Sequence, residues 1–140
     1  MSDWVHIFTA NPGAPLRLVC FPHAGGAAQF FRAWGTQLPA VEVLAIQPPG
    51  RWSRRGERPF RRLDALATAA ADALVRELDR PYALFGHSLG ALVAFEVARL
   101  YRGRGLQLPR RLVVSSRAGP QIPLARAPLH ELAGERLVAE

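Results

Sequence analysis

Short apolar runs alternate with helical patterns along this chain, and the alternation restricts the folds open to it. The four strongest runs, each followed by Gly or Pro as buried strands often are, lie at 16–21, 41–46, 82–85 and 111–115. Apolar residues at helical spacing occupy 63–78 and 91–102, and weaker patterns predict a strand at 4–8 and a short helix at 30–38. Strands that alternate with helices favour an α/β fold, with a mostly parallel sheet flanked by helices.

The composition agrees with a single globular domain. The chain has 140 residues, of which 49% are hydrophobic and 21% are charged, and this is enough apolar material for one core. The single cysteine, Cys20, excludes an internal disulfide and favours a reducing compartment. The N-terminal residues lack the pattern of a secretory signal, so we expect a cytoplasmic protein. We predict no metal site.

The formal charge of +7 comes entirely from arginine, because all 18 basic residues are Arg and the sequence has no Lys. That bias reflects the coding DNA more than function, yet the positive field attracts acidic partners. Six of the arginines fall within 51–62. A solvated loop is the simpler explanation, and the functional one is docking of an acidic protein by Arg51, Arg54 and Arg55. No nucleic-acid-binding signature accompanies the charge, so we expect no nucleic-acid partner.

One strand and the helix after it are separated by Gly86-His87-Ser88-Leu89-Gly90, which matches the pattern G-x-S-x-G. This is the nucleophile elbow, a sharp strand-to-helix turn that holds a serine in a strained conformation with its Oγ exposed. Ser88 is therefore the candidate nucleophile. Gly86 and Gly90 are required because a Cβ at either position would collide with the neighbouring strand or helix. The free N–H groups at the start of the helix also face negative charge that develops at Ser88.

Two other interpretations of these glycines compete with the elbow. Gly86 and Gly90 also satisfy G-x-x-x-G within the largely apolar segment 82–98, as in a membrane helix. His87 and Glu96 interrupt that segment, which is also shorter than the ~20 apolar residues that a membrane span needs. The remaining alternative is a structural turn with an incidental serine. The strand before the motif and the helix after it favour the elbow, and we expect no membrane partner.

A second stretch, 21–26, follows the first strong strand and reads Phe-Pro-His-Ala-Gly-Gly. In folds with this elbow, an oxyanion hole is formed by the N–H of the residue after the nucleophile and an N–H from the loop after an earlier strand. Leu89 supplies the first N–H, and Ala24 is the candidate for the second. The residues expected to shape the loop around Ala24 are His23, Gly25 and Gly26.

Three separated motifs resemble those of the type II thioesterases, the stand-alone editing hydrolases of polyketide and nonribosomal peptide synthesis. They lie, in this order, at 21–26, 47–51 and 85–90. The resemblance implies an α/β-hydrolase that cleaves acyl groups from the phosphopantetheine arm of an acyl or peptidyl carrier protein. It implies Ser88 as the nucleophile and Ala24 and Leu89 as oxyanion donors, with no separate cofactor because the arm belongs to the substrate. The segment 128–132 resembles the start of the lid helices over the acyl pocket, which places the lid's beginning at about 128–140.

The acid–base half of such a site has no clear candidate in the sequence. A nucleophilic serine needs a base and an acid that orients the base, in the chain order Ser, acid, His. After Ser88 the only histidine is His130, and the only acid between them is Glu96. Glu96 is spaced to pair with Arg99 on a helix surface rather than to end a strand. The catalytic triad is therefore not completed by these residues.

The other histidines are poor substitutes, because His23 shapes the loop and His87 is expected to point away from the adjacent serine. His6 and Cys20 are expected to pack rather than react. We therefore expect a partial α/β-hydrolase domain at 1–140, the N-terminal part of a longer protein, which lacks the last strands and most of the lid. Alone, it is expected to be inactive or very weak. The alternatives are a non-catalytic carrier-protein-binding remnant, or an esterase or acyltransferase of the same fold. The motifs do not specify acyl-chain preference or oligomeric state.

Overall fold

Five strands form one sheet in the computed structural model, which describes residues 3–123. The strands are β1 (Val5–His6), β2 (Arg17–Phe21), β3 (Glu42–Ile46), β4 (Tyr82–His87) and β5 (Leu112–Ser115). Their order across the sheet is β1-β3-β2-β4-β5. β1 runs antiparallel to β3, and every other neighbouring pair is parallel. The predicted mostly parallel sheet is confirmed.

Helices cover both faces of this sheet. Within the described part of the chain they are α1 (Trp34–Gln37), α2 (Leu63–Leu74), α3 (Leu89–Gly103) and two 3-10 turns, Ala28–Phe31 and Trp52–Arg54. The predicted helix at 30–38 is split between the first 3-10 turn and α1. A segment this short that contains Gly35 gains little from helix propagation. α2 ends at Leu74 rather than at 78, although Leu78 still packs against the core.

The core lies on both sides of the central strands. On one side, α2 and α3 pack together, and the hydroxyl of Tyr101 donates a 2.9 Å hydrogen bond to the carbonyl oxygen of Ala71. On the other side, Phe31 is fully buried against a smaller cluster that includes Cys20 and Val43. The chain therefore forms a layered α/β structure in which the carboxyl ends of β2 and β4 lie side by side.

β5 is the outer strand on its side of the sheet within residues 3–123. Its apolar side chains are exposed: Leu112 by 37%, Val113 by 47% and Val114 by 52%. Folded proteins usually cover or pair an apolar sheet edge of this kind. His130 and the predicted beginning of the lid at about 128–140 lie outside the described residues.

Candidate active site

Ser88 occupies a sharp turn between β4 and α3. Its backbone has φ +53° and ψ −116°, a conformation that residues other than glycine rarely adopt. Two backbone hydrogen bonds hold the turn: the Ser88 N–H donates to the Ser115 carbonyl over 2.9 Å, and the Ala91 N–H donates to the Ser88 carbonyl over 3.0 Å. Such strain persists where the surrounding structure imposes it, and it is concentrated at functional sites. The predicted strained turn is therefore present.

Gly86 and Gly90 permit the close approach of strand and helix at this turn. A Cβ on Gly86 would lie 2.3 Å from the carbonyl oxygen of Gly90, and a Cβ on Gly90 would lie 2.1 Å from the carbonyl oxygen of Phe21. Both obstacles are backbone atoms, which cannot rotate away. The prediction that a side chain at either position would collide is confirmed.

The loop at 21–26 lies beside the start of α3. Phe21 and Gly86 are register partners in the parallel pair β2–β4, so the segments that follow these strands leave the same edge of the sheet. Gly25 adopts φ +78°, and the N–H of Gly26 donates to the carbonyl of His23 over 2.9 Å, which closes a tight turn. The sequence thus brings this loop to the elbow through strand pairing.

Ala24 and Leu89 line one shared pocket at this edge. Leu89 is the first residue of α3, so its N–H has no acceptor within the helix. Within residues 3–123, neither the Ala24 N–H nor the Leu89 N–H donates to another backbone group. Two free amide donors therefore border the same pocket, and one of them belongs to the residue that follows Ser88.

Two histidines flank the elbow, and both are engaged with neighbours other than Ser88. The rings of His23 and His87 lie edge to face, 5.9 Å apart between centroids, and His23 also meets the ring of Phe30 at 5.0 Å. His87 Nδ1 lies 3.0 Å from the hydroxyl of Ser115, in a hydrogen bond. The Nδ1 atom of His23 is buried, with no hydrogen-bond partner among the described residues. No histidine between residues 3 and 123 is hydrogen-bonded to the Ser88 hydroxyl.

The structure also tests the predicted surroundings of Glu96, His6 and Cys20. Glu96 pairs with Arg99 at 3.0 Å on the surface of α3, as predicted. His6 packs against the ring of Trp52 at 5.1 Å. Cys20 is fully buried, and this burial raises the pKa of its thiol far above the ordinary value of 9.0. An ionised thiolate is the reactive form of cysteine, so Cys20 is an inert packing residue as predicted.

Sequence reasoning missed Gln47 as a residue that builds the site. It is fully buried at the end of β3, where its Oε1 accepts from the Ala28 N–H over 3.1 Å. Its Nε2 donates to the carbonyls of Pro48 and Arg51, over 3.1 Å and 2.8 Å. This fully paired amide joins the loop after β3 to the 3-10 turn that follows the 21–26 loop. The signal in the sequence is a glutamine that directly follows a buried apolar strand.

The three arginines predicted to dock an acidic partner have different surroundings. Arg55 is exposed, whereas Arg54 is held within the fold. The guanidinium of Arg54 bonds Glu57 at 2.6 Å, donates to the Gln47 carbonyl over 3.0 Å and lies 4.6 Å from the ring centre of Trp4. Arg51 lines the same pocket as Ala24 and Leu89. Only Arg55 of the three is therefore free to meet a partner across an open surface.

The described residues contain no cluster of His, Cys, Asp or Glu with the geometry of a metal site. Among the same residues, every helix is too short or too polar to cross a bilayer.

Comparison with known proteins gives consistent matches. A family model described as a thioesterase domain matches residues 16–140. The gramicidin S biosynthesis protein GrsT of Aneurinibacillus migulanus is 38% identical, across 100% of this chain and 55% of that protein. The thioesterase PikA5 of Streptomyces venezuelae is 40% identical, across 98% of this chain and 49% of that protein.

A solved structure shares the fold. The type II thioesterase BorB from the borrelidin biosynthetic cluster matches with a TM-score of 0.85 and 41% identity, across 99% of this chain and 60% of that one. The chain spans about half the length of the curated relatives it matches.

Proposed function

The chain belongs to the thioesterase family, as its motifs predict, and we propose that it contributes the nucleophile half of a serine thioesterase. The substrate is an acyl group held as a thioester on the phosphopantetheine arm of an acyl or peptidyl carrier protein. The observation that carries this proposal is the strained elbow at Ser88 beside two free amide donors on one pocket wall. Relatives named for gramicidin S and borrelidin biosynthesis support the substrate class.

Ser88 attacks the thioester carbonyl carbon, and the carbon–sulfur bond breaks. The proton of the hydroxyl passes to a general base and then to the departing sulfur, which leaves as the free thiol of the arm. Water then attacks the Ser88 ester, which releases a carboxylic acid and restores the hydroxyl. No separate cofactor takes part in either step.

The N–H groups of Ala24 and Leu89 stabilise the negative oxygen of the tetrahedral intermediates. Preformed amide donors of this kind are typically worth ~3 kcal/mol each in the barrier. The N-terminal end of α3 adds its dipole at the same point. Gly86 and Gly90 allow the turn, while His23, Gly25 and Gly26 shape the loop that presents Ala24.

The general base and the acid that orients it lie outside residues 3–123 in this proposal. This placement is supported because neither His23 nor His87 is hydrogen-bonded to the Ser88 hydroxyl. The chain alone is then expected to react very slowly with thioesters. The same observation favours the second candidate function, a carrier-protein binder without catalysis.

Labelling with a fluorophosphonate separates these two functions. Selective modification of Ser88, slow in buffer and accelerated by added imidazole as an external base, supports the nucleophile. The Ser88→Ala variant and the exposed Ser53 in the same chain are the controls. Modification of Ser88 no faster than that of Ser53, with or without imidazole, contradicts catalysis and favours the binder.

Rapid labelling without imidazole that His23→Ala abolishes would place the base inside the described residues. Imidazole-assisted turnover of matched thioesters and oxygen esters then distinguishes a thioesterase from an esterase.

Carrier-protein docking rests on the 51–62 cluster, where one acidic residue accompanies six arginines, four of them exposed. Because Arg54 supports the fold, the test replaces Arg55 and Arg58, which are exposed. Arg55→Glu with Arg58→Glu is expected to weaken binding of an acidic carrier protein at least tenfold, since steering and contact both depend on charge. Arg110→Glu with Arg111→Glu makes the same charge change beside the start of β5 and is the matched control. Equal losses from both pairs would contradict a specific docking surface.

A further inference from the structure

Among the described residues, one permanently charged side chain lies on the wall of the pocket next to the elbow. Arg51 lines it together with Ala24 and Leu89, and the deeper lining is apolar, with Ile46 and Val93 among its members. Apolar walls suit the methylene groups of an acyl chain. An arginine in such a wall needs hydrogen-bond acceptors or an anion, and methylene groups provide neither.

Arg51 is fixed in place and has no counter-charge among residues 3–123. Its backbone carbonyl accepts from Gln47 over 2.8 Å, and its own guanidinium donates to the Gly50 carbonyl over 2.9 Å. Within residues 3–123 no carboxylate forms an ion pair with it, whereas Arg17 and Arg54, whose side chains are mostly buried, both have acidic partners. Arginine carries five N–H donors, so the contact with Gly50 leaves donors of the Arg51 guanidinium free for an anion.

We propose that Arg51 is a specificity-determining residue that selects acyl groups bearing a carboxylate near the thioester carbonyl. This inference rests on the proposed thioesterase function. A planar guanidinium binds a carboxylate through two parallel hydrogen bonds, which gives both affinity and orientation. The phosphate of the carrier arm is the other anion available, but many covalent bonds separate it from the thioester. Because Arg51 shares a pocket wall with the oxyanion donors, the acyl carboxylate is the anion within reach.

The test measures binding of small thioesters in a Ser88→Ala background, which prevents acyl transfer. The probes are S-succinyl-pantetheine, which ends in a carboxylate, S-pentanoyl-pantetheine, which is neutral and similar in length, and S-pentanoyl-4′-phosphopantetheine. We expect the succinyl thioester to bind about tenfold more tightly than the neutral one, as one charge-assisted contact allows. Arg51→Gln should remove that preference and leave the affinity for the pentanoyl thioester within about twofold. Arg55→Gln, an exposed arginine of the same loop, should retain it.

Equal binding of the succinyl and pentanoyl thioesters would overturn the role of Arg51 and leave the proposed function intact. A preference that survives in Arg51→Gln would overturn it as well. Tighter binding of the phosphopantetheine probe alone, lost in Arg51→Gln, would assign the arginine to the arm phosphate and refute acyl selection. If none of the three thioesters binds, the proposed function fails together with this inference.

Discussion

The backbone N–H of Ser88 donates a 2.9 Å hydrogen bond to the carbonyl oxygen of Ser115, so the end of β5 holds the strained turn. The hydroxyl of the same Ser115 lies 3.0 Å from Nδ1 of His87. His87 and Ser115 are register partners in the parallel pair β4–β5. One residue of the outer strand thus contacts both the nucleophile candidate and the residue before it.

Ser115→Ala should therefore loosen His87 while the backbone bond to Ser88 remains. The loss of one partly buried side-chain hydrogen bond is expected to lower the free energy of unfolding by about 1 kcal/mol in urea titration. Ser53→Ala removes an exposed hydroxyl and should change it by less than about 0.5 kcal/mol. Equal effects of the two substitutions would show that the contact between Ser115 and His87 contributes nothing to the free energy of unfolding.

Gly90→Ala should be among the most damaging single substitutions in the chain. The added methyl would lie 2.1 Å from the Phe21 carbonyl oxygen, so the start of α3 must move away from the loop after β2. We expect a loss of at least about 3 kcal/mol in unfolding free energy, or no folded protein. Thermal denaturation and circular dichroism measure both outcomes.

Gly103→Ala is the matched control for this substitution. A Cβ on Gly103 has no atom within 4 Å, and the residue ends the same helix. Alanine favours the helix over glycine, so a gain of up to about 1 kcal/mol is expected. A tolerated Gly90→Ala, with a stability like that of Gly103→Ala, would contradict the close packing of elbow and loop.

The elbow was predictable because its signal is local. The pattern 86–90 between an apolar strand and an apolar helix requires both the positive φ of Ser88 and the close contacts of the two glycines, whatever the rest of the chain does. The meeting of 21–26 with the elbow was expected from the oxyanion hole of folds with this motif, and the parallel pairing of β2 with β4 produces it. Short apolar runs followed by Gly or Pro identified the main strands from equally local signals.

The roles of Gln47 and Arg54 were not predictable, because their partners are distant in the sequence. Gln47 bonds Ala28, 19 residues earlier, and Arg54 lies over the ring of Trp4. Composition placed Arg54 in a charged surface cluster, whereas the fold places its side chain at 12% exposure beside Glu57. A run of arginines in a sequence shows how many cations a loop carries. It does not show which of them are held by contacts within the fold.

Arg54→Gln should destabilise the chain, although the sequence places Arg54 in a charged surface loop. The substitution loses the hydrogen bond to the Gln47 carbonyl and the contact with Trp4, together worth about 2 kcal/mol. Arg55→Gln makes the same chemical change at an exposed neighbour and should be neutral within about 0.5 kcal/mol. Urea unfolding of both variants tests the difference. If Arg55→Gln is the more damaging, the assignment of Arg54 to the fold is wrong.

Glu42 makes the stability of the chain depend on pH. Its side chain is 4% exposed at the start of β3, bonded to Arg17 at 2.8 Å and to the Asn11 N–H at 3.0 Å. Burial acts to raise the pKa of this carboxyl, but the hydrogen bonds from Arg17 and Asn11 and the charge of Arg17 outweigh burial. The pKa in the folded chain is therefore lowered from its ordinary 4.5.

A carboxyl whose folded-state pKa is lowered stabilises the fold fully above its unfolded pKa, and that contribution is lost as the pH falls through the folded value. Glu42→Gln should therefore cost about 2 kcal/mol at pH 7, less than for a fully broken buried pair because Arg17 keeps Asp79 at 2.9 Å. Below both pKa values the wild-type carboxyl is neutral like the glutamine, so the difference should shrink towards zero. Urea titrations of both proteins at pH 7, 5, 4 and 3 measure it. A difference that stays constant down to pH 3 would show that the ion pair with Arg17 does not control the titration of Glu42.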